Sequence, residues 1–480
     1  MRRLRLIVAA ALCAPTILAG QPTKSNASPA SLTALDAKSA HYADVAKQIW
    51  GFAELGYQEY KSSALLRREL ATAGFKVDSG VAGMPTAFIA NYGSGKPVIA
   101  IVGEFDALPG LSQDALPDKK PLLDGGPGHG CGHHLFGTAS VASAVAVKEW
   151  MIANKIAGTL RFYGTPAEEG GSGKVYMVRD GMFDDVDVVV TWHPGDRNAA
   201  SAGSTLANVG AKFKFHGISA HAAAAPEKGR SALDAVEAMD NMVNMMREHI
   251  PSDARVHYVI TDGGKAPNVV PDVAEVYYVA RHNDMRVLDD IWERIVNAAK
   301  GAALGTGTTM EVDVISAVWN VLPNEYLARL LQKNLERVGG VSYTAADNAF
   351  AERLQKTLIG PVPPVSEAGT VIPFRGFGVQ SASTDMGDVS WRVPTVQLSA
   401  ATWVPGTPAH SWQAVAAGGT DIGAKGMMVA AKTMTLTAMD LFTDPSHIVK
   451  ARADFEKARG PNFKYQTRLA GRKPALDYRK

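Results

Sequence analysis

The sequence predicts an α/β protein, with a mostly parallel sheet flanked by helices and an inserted α+β domain. In residues 31–204, apolar runs of strand length alternate with helical segments, which is typical of a parallel sheet with helices on both faces. In residues 205–319 the predicted order changes to β-α-β-β-α-β, the ferredoxin-like arrangement. The larger domain therefore comprises residues 31–204 and 320–445, and a basic tail covers residues 446–480.

Each element of the larger domain follows from a local pattern. Helical spacing within residues 31–75, broken near Gly56, predicts two helices. Continuous apolar runs predict buried strands at residues 97–102, 158–164, 186–191 and 395–400. Further helical segments predict a helix that begins at His133 and covers residues 135–151, and helices at residues 174–180 and 424–439.

The inserted domain and the tail complete the assignment. Apolar and alternating runs predict strands at residues 205–215, 254–262, 274–280 and 308–318, and helical spacing predicts helices at residues 230–249 and 287–303. The tail is polar and basic, and we expect a surface helix followed by a frayed end.

Composition and charge narrow the class of protein. A chain of 480 residues with 46% hydrophobic residues can bury more than one core. The formal net charge of +2 provides no basic field that could hold nucleic acid or an anionic membrane. The expected partner is therefore a small molecule.

The N-terminus has the layout of a secretory signal peptide. Basic residues precede the apolar run 6–19, which is short for a membrane span, and a polar segment of small residues follows. We expect residues 1–27 to be the signal peptide, with cleavage after Ala19 or Ala27, and a periplasmic or secreted protein without stable membrane insertion. Export leaves Cys131 as the single cysteine, which is either a free thiol or a metal ligand.

One glycine-rich stretch, residues 128–137, combines a cysteine with three histidines. Cys131 and His133 are two residues apart, so a loop could direct a thiolate and an imidazole at one ion, and these donors suit zinc. On its own the stretch fits a glycine-rich loop with a buried cysteine equally well. Any further ligands must come from other parts of the chain.

Polar residues near the ends of the predicted strands supply such ligands. In open α/β sheets, ligands bind beyond the carboxyl ends of the strands. Residues at these ends are Glu104, Asp106, Glu168, Glu169 and His193, and His410 precedes the last helix of the domain. The candidate metal ligands are therefore Cys131, His133, Glu169, His193 and His410. Five protein ligands can hold two divalent ions, and both zinc and manganese accept these donor types.

The adjacent carboxylates Glu168 and Glu169 suggest a division of roles. Neighbouring side chains on an extended backbone cannot point the same way, so one can bind metal while the other acts as a general base. The base would take a proton from metal-activated water and pass it to a leaving nitrogen, which fits amide hydrolysis. The alternative is a pair of solvated acids that stabilise the N-terminus of the following helix.

Four motifs together resemble a known family. They are Gly130-Cys131-Gly132-His133, Pro166-Ala167-Glu168-Glu169-Gly170-Gly171, Gly217-Ile218-Ser219-Ala220-His221-Ala222 and Ala266-Pro267-Asn268-Val269-Val270-Pro271. The chain resembles the dinuclear metallohydrolases that include aminoacylases, carboxypeptidase-like exopeptidases and plant auxin-conjugate hydrolases, and within them the amidohydrolase branch. The resemblance covers about residues 35–445 and implies a zinc-exopeptidase-like catalytic domain with an inserted dimerisation domain.

The resemblance also implies roles for individual residues. The five candidate ligands match metal-ligand positions, Glu168 matches the general base and Asp106 matches the acid that orients a ligand. His221 resembles a histidine that reaches the neighbouring subunit's site as an oxyanion stabiliser, which implies a homodimer. Asn268 and Arg281 match positions that bind the substrate carboxylate. Glu104 stands where other branches carry a metal-binding histidine, and its role stays open.

The resulting prediction is an exported metal-dependent amidohydrolase that cleaves N-acyl or N-aroyl amino acids, such as p-aminobenzoyl-glutamate-like conjugates. A dipeptidase or carboxypeptidase could use the same dinuclear centre and differ only in its pocket. A non-catalytic metal or amino-acid binding protein would have no need of a free base at Glu168. A thiol hydrolase based on Cys131 is disfavoured because a neighbouring loop residue such as His133 rarely provides both reach and a separate orienting group.

Overall fold

The computed structural model describes residues 29–376 and 378–479 of the chain. The expected signal peptide, residues 1–27, lies outside the described residues. The described part contains two separate sheets, one of seven strands and one of four. The predicted fold class, an α/β domain with an inserted α+β domain, is confirmed.

The described residues form eleven strands. They are β1 Lys76–Ser79, β2 Phe88–Ser94, β3 Val98–Glu104, β4 Gly158–Thr165, β5 Val188–Gly195, β6 Ala199–Ser201, β7 Ala207–His216, β8 Arg255–Asp262, β9 Val273–His282, β10 Thr309–Val318 and β11 Thr395–Ala401. The larger sheet has the order β1-β2-β4-β3-β5-β11-β6. Its four central strands are parallel and the pairings toward both edges are antiparallel. The carboxyl ends of the central strands consequently share one edge.

The same part of the chain forms fourteen α-helices. They are α1 Pro29–Ala37, α2 Ser39–Phe52, α3 Tyr60–Thr72, α4 His133–Asn154, α5 Glu168–Gly171, α6 Gly173–Arg179, α7 Ala232–Met246, α8 Met285–Thr306, α9 Glu325–Val338, α10 Ala345–Gln355, α11 Met386–Arg392, α12 Trp412–Gly418, α13 Asp421–Thr443 and α14 Pro445–Arg459. Among these helices, α4 is long and apolar enough to cross a bilayer, but most of it is buried inside the fold. Its apolar surface belongs to the core.

Helices cover both faces of the larger sheet, and this explains why its central strands are apolar throughout. Every residue of β3 is buried. Ile99 and Ile101 pack in a core with helices α4, α9 and α13, whereas Ala100 and Val102 pack on the opposite face, in a core that includes α6 and α11. Successive side chains of a strand point to opposite faces of the sheet. Because helices cover both faces here, all of these side chains need to be apolar.

The inserted domain has the predicted ferredoxin-like order. Its antiparallel sheet has the order β10-β7-β9-β8, and α7 and α8 pack on one face. The two connections to the larger domain run side by side, since Ser204 Oγ donates to the Val321 carbonyl at 2.7 Å and Val321 N donates to Thr205 Oγ1 at 3.0 Å. The other face of the sheet is left to form one wall of a cleft.

Four parts of the structure differ from the sequence-based expectation. Three helices, rather than two, precede β1, and the outer strands β1, β2 and β6 lack the long apolar runs that marked the central strands. Strand β5 continues to Gly195, so His193 lies within its last residues and not after the strand. The expected frayed end was wrong: α14 is followed by a packed segment in which Leu469 is buried. Its scattered apolar residues make no periodic pattern, yet they anchor it.

Candidate active site

Most of the predicted site residues meet at the shared edge of the parallel strands. There a cavity of about 700 Å³ lies between the larger domain and the open face of the inserted sheet. The larger domain lines it with Cys131, Glu168, Glu169, His193 and His410, among others. The topology therefore collects residues that are almost 300 positions apart in the chain.

Two groups of potential ligands share one thiol. The donor atoms of Cys131, His133 and His193 lie within 4.8 Å of one another, and so do those of Cys131, Glu169 and His410. Cys131 Sγ is 3.4 Å from His193 Nε2, and His410 Nε2 is 3.2 Å from Glu169 Oε1. The geometry brings together all five predicted ligands, with the sulfur common to both groups.

The backbone of the cysteine loop requires glycine. Gly132 has φ +74°, in the left-handed region, and forms the turn that starts helix α4 at His133. A Cβ atom there would lie 2.7 Å from Pro194 Cβ, so a larger residue would also collide with strand β5. This close approach places Cys131 against the end of the strand that carries His193.

Asp106 contacts two of the candidate ligands at once. Its Oδ1 lies 2.9 Å from His133 Nδ1, and its Oδ2 accepts a hydrogen bond from the Glu169 backbone N–H at 2.9 Å. His193 Nδ1 donates to the Pro194 carbonyl at 2.7 Å. In both histidines the Nδ1 atom is engaged, which leaves Nε2 as the possible donor to a metal. Asp106, predicted as the acid that orients a ligand, thus lies in contact with His133 and Glu169.

Buried donor atoms without a well-formed hydrogen bond fit a metal. Among the described residues, His133 Nε2, Glu169 Oε1 and Glu104 Oε2 are buried and lack a hydrogen bond of regular geometry. Their close contacts are with other candidate donors, since His133 Nε2 lies 3.0 Å from Glu104 Oε2 and Glu169 Oε1 lies 3.2 Å from His410 Nε2. Leaving a buried polar atom without a hydrogen bond costs roughly 1–3 kcal/mol, more when it is charged. A set of thiol, imidazole and carboxylate donors that face one another in this way fits divalent cations, because coordination would satisfy each atom.

Glu168 lies on the cavity wall at a strained turn. The residue before it, Ala167, has φ +56°, and Glu169 and Gly170 depart from helical angles within α5. Burial, together with the nearby Glu104 and Glu169 carboxylates, raises the pKa of Glu168 well above its usual value. Glu169 differs: although burial opposes it, the contact with the His410 imidazole and the charge of His133 lower its pKa. The adjacent acids therefore have distinct electrostatic environments.

The thiol hydrolase alternative finds no support in this environment. Burial, aided by the carboxylate of Glu169, raises the pKa of the Cys131 thiol well above its usual value. A nucleophilic cysteine needs the opposite shift, whereas a bound cation would stabilise the thiolate as a ligand.

A buried ion-pair network explains the position of Glu104, whose role the sequence left open. Glu104 Oε1 lies 2.7 Å from Lys174 Nζ, and Lys174 Nζ lies 2.5 Å from Asp385 Oδ1. Glu104 Oε2 lies 3.0 Å from His133 Nε2. Sequence reasoning missed Lys174 and Asp385. The available signal was a lysine within the otherwise apolar run Lys174–Val178, where a solvated helix face is not expected.

The inserted sheet contributes a polar wall. Arg281 lines the cavity, and its Cα is paired across the strands with that of Asn208, whose Oδ1 is buried without a hydrogen-bond partner in the described residues. Arg281 Nη1 is 3.5 Å from Ser383 Oγ. Asn208 was not predicted. The alternation of strand β7 could have indicated it, because it lies on the face opposite the buried Val209.

The structure does not bring His221 and Asn268 into this cavity. Both are exposed on the inserted domain, close to each other, where the Ala222 N–H donates to the Asn268 carbonyl at 3.0 Å. The predicted role of His221 concerns a neighbouring subunit, so a single chain leaves that prediction as it stands. Asn268 cannot bind the substrate carboxylate in its own chain's cavity in this conformation.

Comparison with known proteins agrees with this arrangement. Residues 206–306 match the M20 peptidase dimerisation domain. The chain is 43% identical over 450 residues to one of the subunits of p-aminobenzoyl-glutamate hydrolase from Escherichia coli (strain K12), across 88% of this chain and 94% of the relative. It is 29% identical over 438 residues to Xaa-Arg dipeptidase of Mus musculus, across 88% and 90%.

A solved structure from Bacillus subtilis, described as a dinuclear metal binding peptidase of the M20 family, has the same fold. The TM-score is 0.58 at 16% identity, over 85% of this chain and 99% of that structure. Because the Escherichia coli relative is matched over nearly its whole length, the similarity includes both domains. The chain belongs to the M20 peptidase family and is an amidohydrolase of the p-aminobenzoyl-glutamate hydrolase type.

Proposed function

We propose that this protein is an exported metal-dependent amidohydrolase that cleaves N-acyl or N-aroyl amino acids, such as p-aminobenzoyl-glutamate-like conjugates. The observation that carries the proposal is the convergence of the Cys131, Glu169 and His410 donors beside Glu168, in a cavity that also holds Arg281. The 43% identity to the Escherichia coli p-aminobenzoyl-glutamate hydrolase chain supports the substrate class.

Two divalent ions, zinc or manganese, would fit the two ligand groups. His133 and His193 would serve one ion and Glu169 and His410 the other, and Cys131 belongs to both groups. When bound, such ions supply the Lewis acidity that polarises a carbonyl and activates water at neutral pH. The thiolate favours zinc, whereas the carboxylate and imidazole donors also accept manganese.

Glu168 is the proposed general base. Its raised pKa suits a group that takes a proton from water and then carries it to the leaving nitrogen. Asp106 fixes the ring of His133 and the backbone of Glu169. Arg281 would bind the substrate carboxylate through its planar guanidinium, and Asn208 lies opposite it on the neighbouring strand.

The proposal includes a homodimer. The match to a dimerisation domain supports it, and the exposed position of His221 is compatible with a role as oxyanion stabiliser in a neighbouring subunit. Asn268 lies beside His221 and would act at the same neighbouring site. We also propose export by residues 1–27, which N-terminal sequencing of the mature protein from a periplasmic fraction would test.

Substitution of the base tests the mechanism. We expect Glu168→Gln to lower kcat for N-acyl amino acids by about 10²–10⁴-fold while the metal content stays at the wild-type value, because Gln cannot accept the proton. Exposed Glu293→Gln, on helix α8, is the control and should behave as wild type. Full hydrolysis by metal-loaded Glu168→Gln would show that the assigned mechanism is wrong.

A dipeptidase is the second candidate, and the 29% identity to Xaa-Arg dipeptidase favours it. The same metal centre could serve either reaction, since only the pocket differs. A panel of dipeptides and N-acyl amino acids, compared by kcat/KM, separates the two. Preference for dipeptides across the panel would replace the first proposal.

A further inference from the structure

The last residues of the chain form a strap across both domains. We call residues 460–479 the C-terminal strap. Although basic, it is held by apolar and polar contacts: Leu469 is buried, Phe463 packs edge-to-face on Trp319 with ring centroids 5.3 Å apart, and the Tyr465 hydroxyl donates to Asp388 Oδ1 at 2.6 Å. The strap is therefore part of the folded structure.

The strap is also tied to the inserted domain. Arg468 forms an ion pair with Asp289 on helix α8, and Arg472 forms one with Asp313 on strand β10. The Arg472 carbonyl accepts a hydrogen bond from Arg179 of helix α6 at 2.7 Å. These contacts direct the final residues along the larger domain toward the turn that carries the two glutamates.

The strap ends on the backbone of a predicted metal ligand. The Tyr478 hydroxyl donates to the Glu169 carbonyl at 3.1 Å, and the Arg479 guanidinium donates to the same oxygen. The Tyr478 ring packs edge-to-face on Tyr57, with centroids 5.7 Å apart, and the Tyr57 hydroxyl donates to the Gly171 carbonyl at 2.6 Å. Two carbonyl groups of the turn are thus held by this aromatic pair and the guanidinium.

The turn needs such support. Ala167 and Ser172, at its two ends, have φ +56° and +57°, and non-glycine residues in this region typically cost about 1–3 kcal/mol each. Tyr478 packs closely against the larger domain, because a Cβ atom on Gly56 would lie 2.3 Å from the Tyr478 hydroxyl. A turn held in this way keeps its side chains in one orientation only while its outer contacts persist.

We propose that Tyr478 and Arg479 are positioning residues for the metal centre. By holding the Glu169 carbonyl, they fix the peptide that directs the Glu169 carboxylate to His410 and Cys131 and the Glu168 carboxylate to the cavity. Neither residue needs to touch the substrate. This inference rests on the proposed function, because it assigns the strap a role in the metal site.

The test compares zinc affinity and kinetics in variants of the full-length protein. We expect Tyr478→Phe with Arg479→Ala to raise the zinc Kd, measured by chelator competition, by about 10–100-fold. We also expect kcat to fall by more than KM rises, since the base shares the turn. Arg479→Lys keeps a cationic donor and should recover part of the affinity. Asp477→Asn, an exposed neighbour, is the matched control.

The outcomes separate the two proposals. Wild-type protein that binds neither zinc nor manganese and hydrolyses no N-acyl amino acid would refute the proposed function. Wild-type protein that does both, with a double variant equal to it in zinc Kd and kcat, would refute the role of the strap. If the double variant melts at a lower temperature than wild type, the single variant Tyr478→Phe provides the test, because it keeps the ring contact with Tyr57 and loses only the hydroxyl. An unchanged zinc Kd in Tyr478→Phe would then overturn the inference.

Discussion

At the scale of single residues, the site depends on charges that are buried together. Lys174 is fully buried, and although burial opposes it, Asp385 and Glu104 raise its pKa. Burial raises the pKa of Glu104, against the opposing charges of Lys174 and His133. Lys174 thus stays charged between the carboxylates of Glu104 and Asp385. Among the described ion pairs, the other cationic partner of this group is His133, which contacts Glu104.

Removal of Lys174 should therefore destabilise the protein strongly. We expect Lys174→Met to lower the free energy of unfolding by about 3–5 kcal/mol, because buried Glu104 and Asp385 lose their partner. Urea unfolding of the metal-free protein measures the change. The exposed pair of Lys265 and Asp262 provides the control, Lys265→Met, which should leave stability nearly unchanged. Equal effects of the two substitutions would argue against a structural role for the network.

At the scale of elements, helix α11 carries a buried acid that responds to pH. Asp388 accepts hydrogen bonds from the Tyr465 hydroxyl and from the Trp319 N–H, at 2.6 and 3.0 Å. Burial nevertheless raises its pKa from 3.8 to about 7. The folded state therefore binds a proton that the unfolded state releases between these values. Stability should fall as pH rises from about 4 to about 7, and the penalty is complete above that range.

Asp388→Asn should remove this dependence. The full shift corresponds to an upper bound of about 4 kcal/mol, at 1.36 kcal/mol for each pKa unit. We expect the variant to gain stability relative to wild type as pH rises from 4 to 8, since the amide has no charge to bury. Chemical unfolding at four pH values within that range measures the difference. A difference that does not change with pH would contradict the assigned protonation.

The elements that could be predicted are those with an apolar pattern. Strand β3 is buried on both faces and forms one apolar run, and the six elements of the inserted domain alternate or repeat at helical spacing. Strands β1 and β2 were missed because these outer strands are partly exposed and lack such long runs. The strap was missed for a different reason: Tyr465, Leu469 and Tyr478 make long-range contacts that no local period reveals.

In the site, too, some residues could be predicted from their type, whereas others matter only because of where the fold places them. The five candidate ligands and Glu168 could be named because cysteine, histidine and glutamate side chains near strand ends together form a donor set that suits divalent ions. Lys174, Asp385 and Asn208 could not, because their importance comes from which elements the sheet order places next to one another. The resemblance supplied roles for His221 and Asn268, and these roles stay predictions.

At the scale of the whole molecule, the proposed homodimer makes each site depend on two chains. If His221 acts in the neighbouring subunit, His221→Ala and Glu168→Gln homodimers should both be nearly inactive. Co-expression of the two variants with different tags should then restore about a quarter of wild-type activity, since half of the dimers are mixed and each has one complete site. Mixed dimers without recovered activity would place His221 outside the neighbouring site.

The paired connections of the inserted domain give the molecule a simple mechanical property. Residues Ser204 and Val321 lie against each other, so the insertion is attached along a single line and not at two distant points. Rotation about that line would widen or narrow the cavity without stretching either connection. Arg468 and Arg472 of the strap form ion pairs with Asp289 and Asp313 of the insertion, and these ion pairs would resist such a rotation. The same segment that contacts the glutamate turn would thus also limit how far the cavity opens.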